Sequence, residues 1–451
     1  MSVICKRILP VMVLTTCIVL TALSLAPEVS ADESMQNLLS SGKCGLYVRP
    51  IEEDVPIAMQ NPELPLTPAS ITKAVTAASV MSLRDSLACF ITPVWMCGDL
   101  KTSPSGKMTL DGDIVICPVG DPTLGDDRFK RSTLLPDSVA AALKRLGIDS
   151  VAGQVRVDGV AFVDESVPEG WGQGDLTAYY GAPLLGSTFA HNMKGGQRGR
   201  VNMRPDTTLV AAVRRVLRKS GISLGNKKGM PSDGPQTALY LHRSPTYKEI
   251  MRSMMVRSDN LYAEGMLRTL AEGDTRANAL SEEMDFLSDP DLDLAVGNIR
   301  LKDGSGLSRA NRITPHVMAN LLAWMAKSSV GTAYIGLFPV VGKEGTVRGL
   351  LKGTPLEGKM VLKSGTMTGI KCYAGYKLDD KTGRPTHVVV AMVNEAKDSR
   401  RARADIEKAL LKIFVPTQID TLPDKDATPD AVPGNTPVVS VTEEEVIEEL
   451  F

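Results

Sequence analysis

The segment Pro68-Ala69-Ser70-Ile71-Thr72-Lys73, continuing through an alanine-rich stretch to about Leu83, constrains the fold more than any other part of the chain. Thr67 is a good helix N-cap and Pro68 suits the first helical position, so the stretch is expected to be helical and, being small and apolar, largely buried. Ser70 and Lys73 lie three positions apart and share a face, so the amine can reach the hydroxyl. Ser70 also falls in the first turn, where unpaired backbone N–H groups and the positive helix end favour developing negative charge. Its own N–H can serve an oxyanion hole. A lysine has an ordinary pKa of about 10.4, so it acts as a base at neutral pH only where burial or a neighbouring cation lowers that value.

A buried helix needs a chain large enough to surround it. The 451 residues leave room for two or three domains, and 43% hydrophobic with 23% charged residues is ordinary for a globular protein. A formal net charge of -1 gives no electrostatic reason to expect a nucleic-acid partner. Lys6 and Arg7 precede an apolar run, residues 8–25, and Val29-Ser30-Ala31 supplies small residues suited to signal peptidase. Residues 1–31 therefore read as a signal peptide, with an uncleaved membrane anchor as the alternative. Either way the remainder is expected to be exported, to the periplasm or another extracytoplasmic part of the envelope. Cys17 follows Leu14-Thr15-Thr16, a poor lipid-attachment box.

The cysteines beyond that segment are Cys44, Cys89, Cys97, Cys117 and Cys372, an odd set without a CxxC pair, which argues against a metal or redox site. Free thiols are expected, a Cys97–Cys117 disulfide being the alternative. Prolines and acidic residues crowd residues 416–451, which read as an acidic, proline-rich disordered tail.

Between these ends the pattern is mixed. Residues 44–50 and 55–60 look like strands, so residues 32–83 form the first part of one domain. Residues 84–239 carry short strands with helices near 136–146 and 207–219, as an inserted β-rich accessory region would. Helical patterns then resume through residue 326. Apolar strands at 359–366, 371–378 and 385–395 and a last helix from Asp398 to Phe414 complete the second part of the domain, residues 240–415. The fold class is α/β in the α+β sense, with an antiparallel sheet flanked by helices.

Histidine is scarce: His191, His242, His316 and His387 form no HExxH pattern, and each is expected to be structural. Three short motifs carry the chemistry instead. The first is Ser70-x-x-Lys73; Ser40-Ser41-Gly42-Lys43 also matches SxxK but sits before the first strand. The second is Ser258-Asp259-Asn260, between two helical stretches, where it can project a hydroxyl and an amide into a cleft or merely cap the following helix. The third is Lys363-Ser364-Gly365-Thr366 at the end of an apolar strand, where glycine lets a substrate backbone approach closely. Lys381-Thr382-Gly383 competes with it, but after Asp379-Asp380 it reads as a hairpin turn.

In this order the motifs resemble the set of penicillin-binding proteins and serine β-lactamases. Pro118-Val119-Gly120-Asp121-Pro122-Thr123-Leu124, residues 171–183 and Asp303-Gly304-Ser305-Gly306-Leu307-Ser308-Arg309 narrow the resemblance further. They are similar to the D-alanyl-D-alanine carboxypeptidase/endopeptidase family, the low-molecular-mass class C penicillin-binding proteins, over residues 44–414.

That resemblance implies a transpeptidase-type domain and a serine DD-peptidase acting on peptidoglycan peptides, as carboxypeptidase, endopeptidase or both, with β-lactam antibiotics as inhibitors. It implies no cofactor and no metal. Ser70 would attack the D-Ala-D-Ala carbonyl, Lys73 would take its proton, and Ser258 with Lys363 would relay a proton to the leaving D-alanine. Asn260 would hold the substrate amide, and the N–H groups of Ser70 and Thr366 would bind the oxyanion. Lys363, Ser364 and Thr366 would hold the terminal carboxylate, with Gly365, Ser305 and Gly306 alongside the substrate. Asp175, Tyr180, Arg309 and Met367 fall where the family lines a pocket for the diaminopimelate side chain, Asp175 pairing with its ammonium.

Two departures stand out: Ser364 replaces the usual threonine, and Gly172-Gln173-Gly174 replaces a more aromatic approach to Asp175. Rival readings are a serine β-lactamase, which lacks its ExxLN pattern here, and a non-catalytic peptidoglycan-binding scaffold, against which the complete motif set speaks.

Overall fold

The computed structural model describes residues 37–164, 167–225, 235–271 and 275–415. The expected signal peptide and acidic tail lie outside the described residues.

The strand Pro385–Asn394 runs through Val388, Val389, Val390, Ala391, Met392 and Val393 without a polar interruption, as a strand covered on both faces does. Val388, Val390 and Met392 face the core shared with the helices, whereas Val389, Ala391 and Val393 pack under the C-terminal helix Ser399–Phe414. Side chains alternate across a strand, so one sequence serves two cores. Around it the antiparallel sheet runs in the order Met360–Met367, Ile370–Leu378, Pro385–Asn394, Lys43–Pro50, Ala58–Gln60. Tyr47 opposes Val390, so the first described strand closes against the last. The expected strand at 55–60 contracts to Ala58–Gln60.

The helix Thr72–Leu83 is buried without a break from Thr72 to Met81, and it packs among Tyr247–Arg257, Asn260–Arg268 and Pro315–Lys327. A helix with no polar face has no stable place but the middle of a core. Its start differs from the sequence expectation. Ala69–Ile71 forms a 3₁₀ turn, Ala69 takes a left-handed φ of 48°, and the α-helix begins only at Thr72. Thr67 caps nothing: its N–H donates to Asn394 Oδ1 at 2.8 Å, and its carbonyl accepts from Asn394 Nδ2 at 3.1 Å. The sheet anchors this turn and overrides local capping. Gly365 is the contact point, since a Cβ there would stand 2.6 Å from the Pro68 carbonyl oxygen.

A second sheet lies between the first two motifs. Its order is Gln236–Thr246, Cys89–Thr102, Met108–Ile116, Ile148–Val151, Ser223–Leu224, with Val155–Val157 also paired to Met108–Ile116. Val94, Ile114, Leu143 and Val213 belong to its own core, covered by helices Leu135–Arg145 and Pro205–Lys219. The strand Gln236–Thr246 spans residue 239, where the sequence places the end of the inserted region, and leads directly into a capping box of Thr246 and Glu249. The five cysteines among the described residues are free thiols.

Leu410 of the C-terminal helix is fully buried against the sheet. Leu410→Ala is expected to lower the unfolding free energy by about 2–5 kcal/mol, measured from the shift in the urea midpoint at unchanged slope.

Candidate active site

Ser70 is half-buried in the 3₁₀ turn, and Lys73 one turn later is wholly enclosed. Lys73 Nζ lies 3.0 Å from Ser70 Oγ, 2.6 Å from Asn260 Oδ1 and 2.6 Å from the Ser305 carbonyl oxygen. The last two atoms can only accept hydrogen bonds. They occupy both N–H bonds of a neutral amine, which leaves its lone pair for the Ser70 hydroxyl. Burial lowers the Lys73 pKa to about 8, against the opposing pull of Asp303, Asp259 and Glu264.

Ser258 ends the helix Tyr247–Arg257 in a left-handed conformation, with φ 59°, and Asn260 opens the next helix. Asp259 caps that helix by accepting from the Tyr262 N–H at 3.0 Å. Its buried carboxylate also meets the Arg128 guanidinium and, at 2.9 Å, His191 Nε2. Burial alone would raise the carboxyl; His191 and Arg128 hold it well below the usual range. Asn260 Nδ2 donates to the Tyr180 carbonyl at 2.8 Å, so both ends of this amide are oriented.

Lys363 completes the set from the sheet edge. Its buried Nζ donates to Ser258 Oγ at 2.9 Å and to the Ser364 carbonyl at 2.7 Å. Burial, followed by the charges of Lys73 and Lys371, lowers its pKa well below that of a free lysine. Thr366 is exposed at the cleft and accepts from Lys371 Nζ at 2.9 Å. Ser364 departs from the expectation: its buried hydroxyl donates to Thr346 Oγ1 at 2.7 Å and does not line the cleft around Ser70.

The Asp303–Arg309 loop folds around one carboxylate. Asp303 accepts from Trp171 Nε1 at 2.7 Å, Ser305 Oγ at 3.1 Å, Asn311 Nδ2 at 2.7 Å and the N–H groups of Gly306 and Ser308. Ser305, expected beside the substrate, is fully buried. Its hydroxyl is taken by Asp303 and its carbonyl by Lys73, so it supports the amine from behind. Gly306 lines the cleft with φ 80°; a Cβ there would stand 1.9 Å from the Ala69 carbonyl oxygen.

These elements enclose a cleft of about 280 Å³ lined by Ser70, Asp175, Tyr180, Ser258, Asn260, Gly306, Arg309, Thr366 and Met367. Tyr180 donates its hydroxyl to Asp175 Oδ1 at 3.0 Å, and Arg309 reaches the Thr368 carbonyl at 3.4 Å. The competing motifs lie elsewhere: Ser40 and Ser41 hydrogen-bond Asp405, Lys43 pairs with Glu395, and Lys381 sits in an exposed turn built on Asp379.

Sequence reasoning did not find Arg128, Asp126 or Glu264, and took His191 for a structural residue without a stated partner. Glu264 had a signal, one helical turn after Asn260. Its carboxylate accepts from the Ser305 N–H at 3.0 Å. Arg128 had none for the site: Asp126 pairs with it locally, but Asp259, through which it reaches the cleft, is 131 residues away. Among the described residues no cluster of three or more His, Cys, Asp or Glu is placed to hold a metal ion.

A helical layer on an antiparallel sheet, with SxxK, SDN and KSG motifs meeting at their junction, is a penicillin-binding-protein/serine β-lactamase-like fold. The chain belongs to the D-Ala-D-Ala carboxypeptidase 3 (S13) family, whose model matches residues 29–202 and 188–413. It is thus an enzyme of the D-Ala-D-Ala carboxypeptidase kind. It is 23% identical over 420 residues to the D-alanyl-D-alanine carboxypeptidase DacB of Haemophilus influenzae, over 77% of this chain and 85% of that relative. A D-alanyl-D-alanine carboxypeptidase of an Actinomadura species is 23% identical over 393 residues, covering 69% of this chain and 70% of its own. The crystal structure of penicillin binding protein 4 from Haemophilus influenzae superposes with a TM-score of 0.69 at 22% identity, over 83% of this chain and 96% of that one. That protein is also known in complex with a β-lactam.

Asp259→Ala would leave Arg128 and His191 without their shared buried partner. The expected loss is about 3–5 kcal/mol of unfolding free energy, read by chemical denaturation. Asp259→Glu tests whether charge without the original geometry restores part of it.

Proposed function

We propose that the protein is a serine DD-peptidase of exported location that cleaves D-Ala-D-Ala termini and D-alanyl cross-links of peptidoglycan through a Ser70 acyl-enzyme. The observation that carries this reading is the pair of carbonyl acceptors on Lys73 Nζ, which directs the remaining lone pair of the neutral amine at Ser70 Oγ. Export rests on residues 1–31, with their basic start, apolar run and Val-x-Ala site.

In the first step Ser70 Oγ attacks the carbonyl carbon of the penultimate D-alanine while its proton passes to Lys73. The N–H groups of Ser70 and Thr366 receive the oxyanion. As the C–N bond breaks, Ser258 gives its hydroxyl proton to the leaving nitrogen and is reprotonated from the lysine pair, through Lys363, its 2.9 Å neighbour. Water then attacks the ester, Lys73 takes its proton and passes it to Ser70 Oγ as the ester C–O bond breaks, and Ser70 and the neutral amine are restored. Thr366 and the charge of Lys363 hold the terminal carboxylate, a role Ser364 leaves to them. Asp175 pairs with the ammonium of the donor's diaminopimelate side chain. A β-lactam follows the same acylation, its ring amide replacing the D-Ala-D-Ala bond, and deacylates slowly.

The mature protein is expected to release D-alanine from pentapeptide, split cross-linked muropeptides and become labelled by penicillin on Ser70. Ser70→Ala lowers both peptide activities by at least about 1,000-fold and abolishes labelling. Mass spectrometry of products and protein reads all three; activity that survives in Ser70→Ala would sink the proposal. The pH profile supplies a second test. Lys73 is neutral and competent above its pKa of about 8 and protonated below it. Acylation is therefore expected to fall about tenfold per pH unit on acidifying below that point, while a flat profile from pH 6 to 9 would exclude Lys73 as the base.

A further inference from the structure

A second cavity, of about 480 Å³, adjoins the cleft across the Ser258–Asn260 loop, and Tyr180, Ser258 and Asn260 line both. Ser70, Thr366 and Asp175 belong to the smaller cleft, whereas Arg128, Arg257, Arg348 and Thr346 belong to the larger cavity.

Their charges differ: the smaller cleft holds one carboxylate, Asp175, and one guanidinium, Arg309, which offset, whereas the larger cavity is basic. Arg128 is neutralised by Asp126 and Asp259. Arg257 and Arg348 are exposed and form no ion pair among the described residues, and Glu344 on the neighbouring loop is committed to Arg252. The cavity therefore carries two uncompensated guanidinium charges. Its frame is rigid: Gly345 takes φ 47°, and a Cβ there would meet the Val256 carbonyl oxygen at 2.1 Å, which locks the Arg348 turn onto the Arg257 helix end. Thr346 fastens the same turn to the sheet through Ser364.

We infer that this cavity is the leaving-strand subsite, built for an anionic peptide bearing the amine released from a D-alanyl cross-link. The inference rests on the DD-peptidase reading above and deepens it. Ser258, the proton donor to the leaving nitrogen, stands on the boundary between the two spaces. The acyl half of the substrate lies on the Ser70 and Asp175 side, so the departing half leaves toward the arginines. A free D-alanine, with one methyl side chain, would leave most of 480 Å³ empty. A cross-link instead releases an amino acid with a carboxylate beside the cleaved nitrogen, continued by an acidic stem peptide. The carboxylate beside the cleaved nitrogen takes the terminal-carboxylate place at Thr366, and two guanidinium forks match the further carboxylates of the stem.

The test compares kcat/KM for a disaccharide-tetrapeptide dimer with that for a pentapeptide, in full-length mature protein. In Arg257→Ala/Arg348→Ala the dimer-to-pentapeptide ratio is expected to fall by about tenfold or more, mainly through the KM of the dimer. Arg257→Glu/Arg348→Glu should lower it further, and Arg257→Lys/Arg348→Lys should restore most of it. In wild type, raising NaCl from about 50 to about 300 mM should slow dimer cleavage more than pentapeptide cleavage. This salt comparison decides the matter even if the alanine variant fails to fold. An unchanged ratio in folded variants, or equal salt sensitivity for the two substrates, overturns the subsite. Wild type that releases D-alanine but never cleaves the dimer overturns the subsite and the cross-link part of the proposed function while leaving its carboxypeptidase part; wild type inactive on both overturns the DD-peptidase reading and the subsite with it.

Discussion

The amine of Lys73 is the group around which the molecule is arranged. A lysine with no exposed surface is very costly to charge and, even neutral, costly to leave unbonded, so its place in the core requires acceptors in fixed positions. Those acceptors come from chain segments 187 and 232 residues away, while the serine beside it lies on the preceding turn. The helix from Thr72 must therefore run between the Asp303 loop and the Ser258–Asn260 loop, and both loops need supports of their own.

Each support is a buried carboxylate with several donors. Asp303 gathers an indole, a hydroxyl, an amide and two backbone N–H groups, which sets the Ser305 carbonyl behind Lys73. Asp259 gathers Arg128, His191 and the Tyr262 N–H, which sets Ser258 and Asn260 in front. Full satisfaction is what makes such burial tolerable, and the same satisfaction leaves the loops little freedom. The lysines benefit in turn: the site is dry enough to depress both Lys73 and Lys363, while the carboxylates around Lys73 limit its fall.

The residues between the first two motifs take part in this arrangement. Arg128, Trp171, Asp175, Tyr180 and His191 all come from that stretch, and all touch the loops or line the cleft. The second sheet has its own core, yet its connecting segments deliver the supports and the Asp175 and Tyr180 wall of the cleft to the site. A cleft with the Asp175 and Arg309 pair on one side of Ser258 and a basic cavity on the other is the combined product of the two sheets.

The local patterns legible in the chain are those whose physics is local. Apolar runs at 359–366 and 385–395, the buried helix through Leu83, the i,i+3 relation of Ser70 and Lys73 and the turn at Lys381 all depend on neighbouring residues, and the fold keeps them. Motif order also selected Lys363 and Ser258, which meet at 2.9 Å. Where distant segments compete with local preference, tertiary structure decides. Thr67 has its backbone held by Asn394 and its hydroxyl taken by Arg312 instead of capping, Ala69 accepts a left-handed φ under the packing of Gly365 and Gly306, and Ser305 and Ser364 turn their hydroxyls into the protein. The Arg128–Asp259–His191 network had no local signature, because its pairings exist only once helices and sheets far apart in sequence are brought together and closed to water.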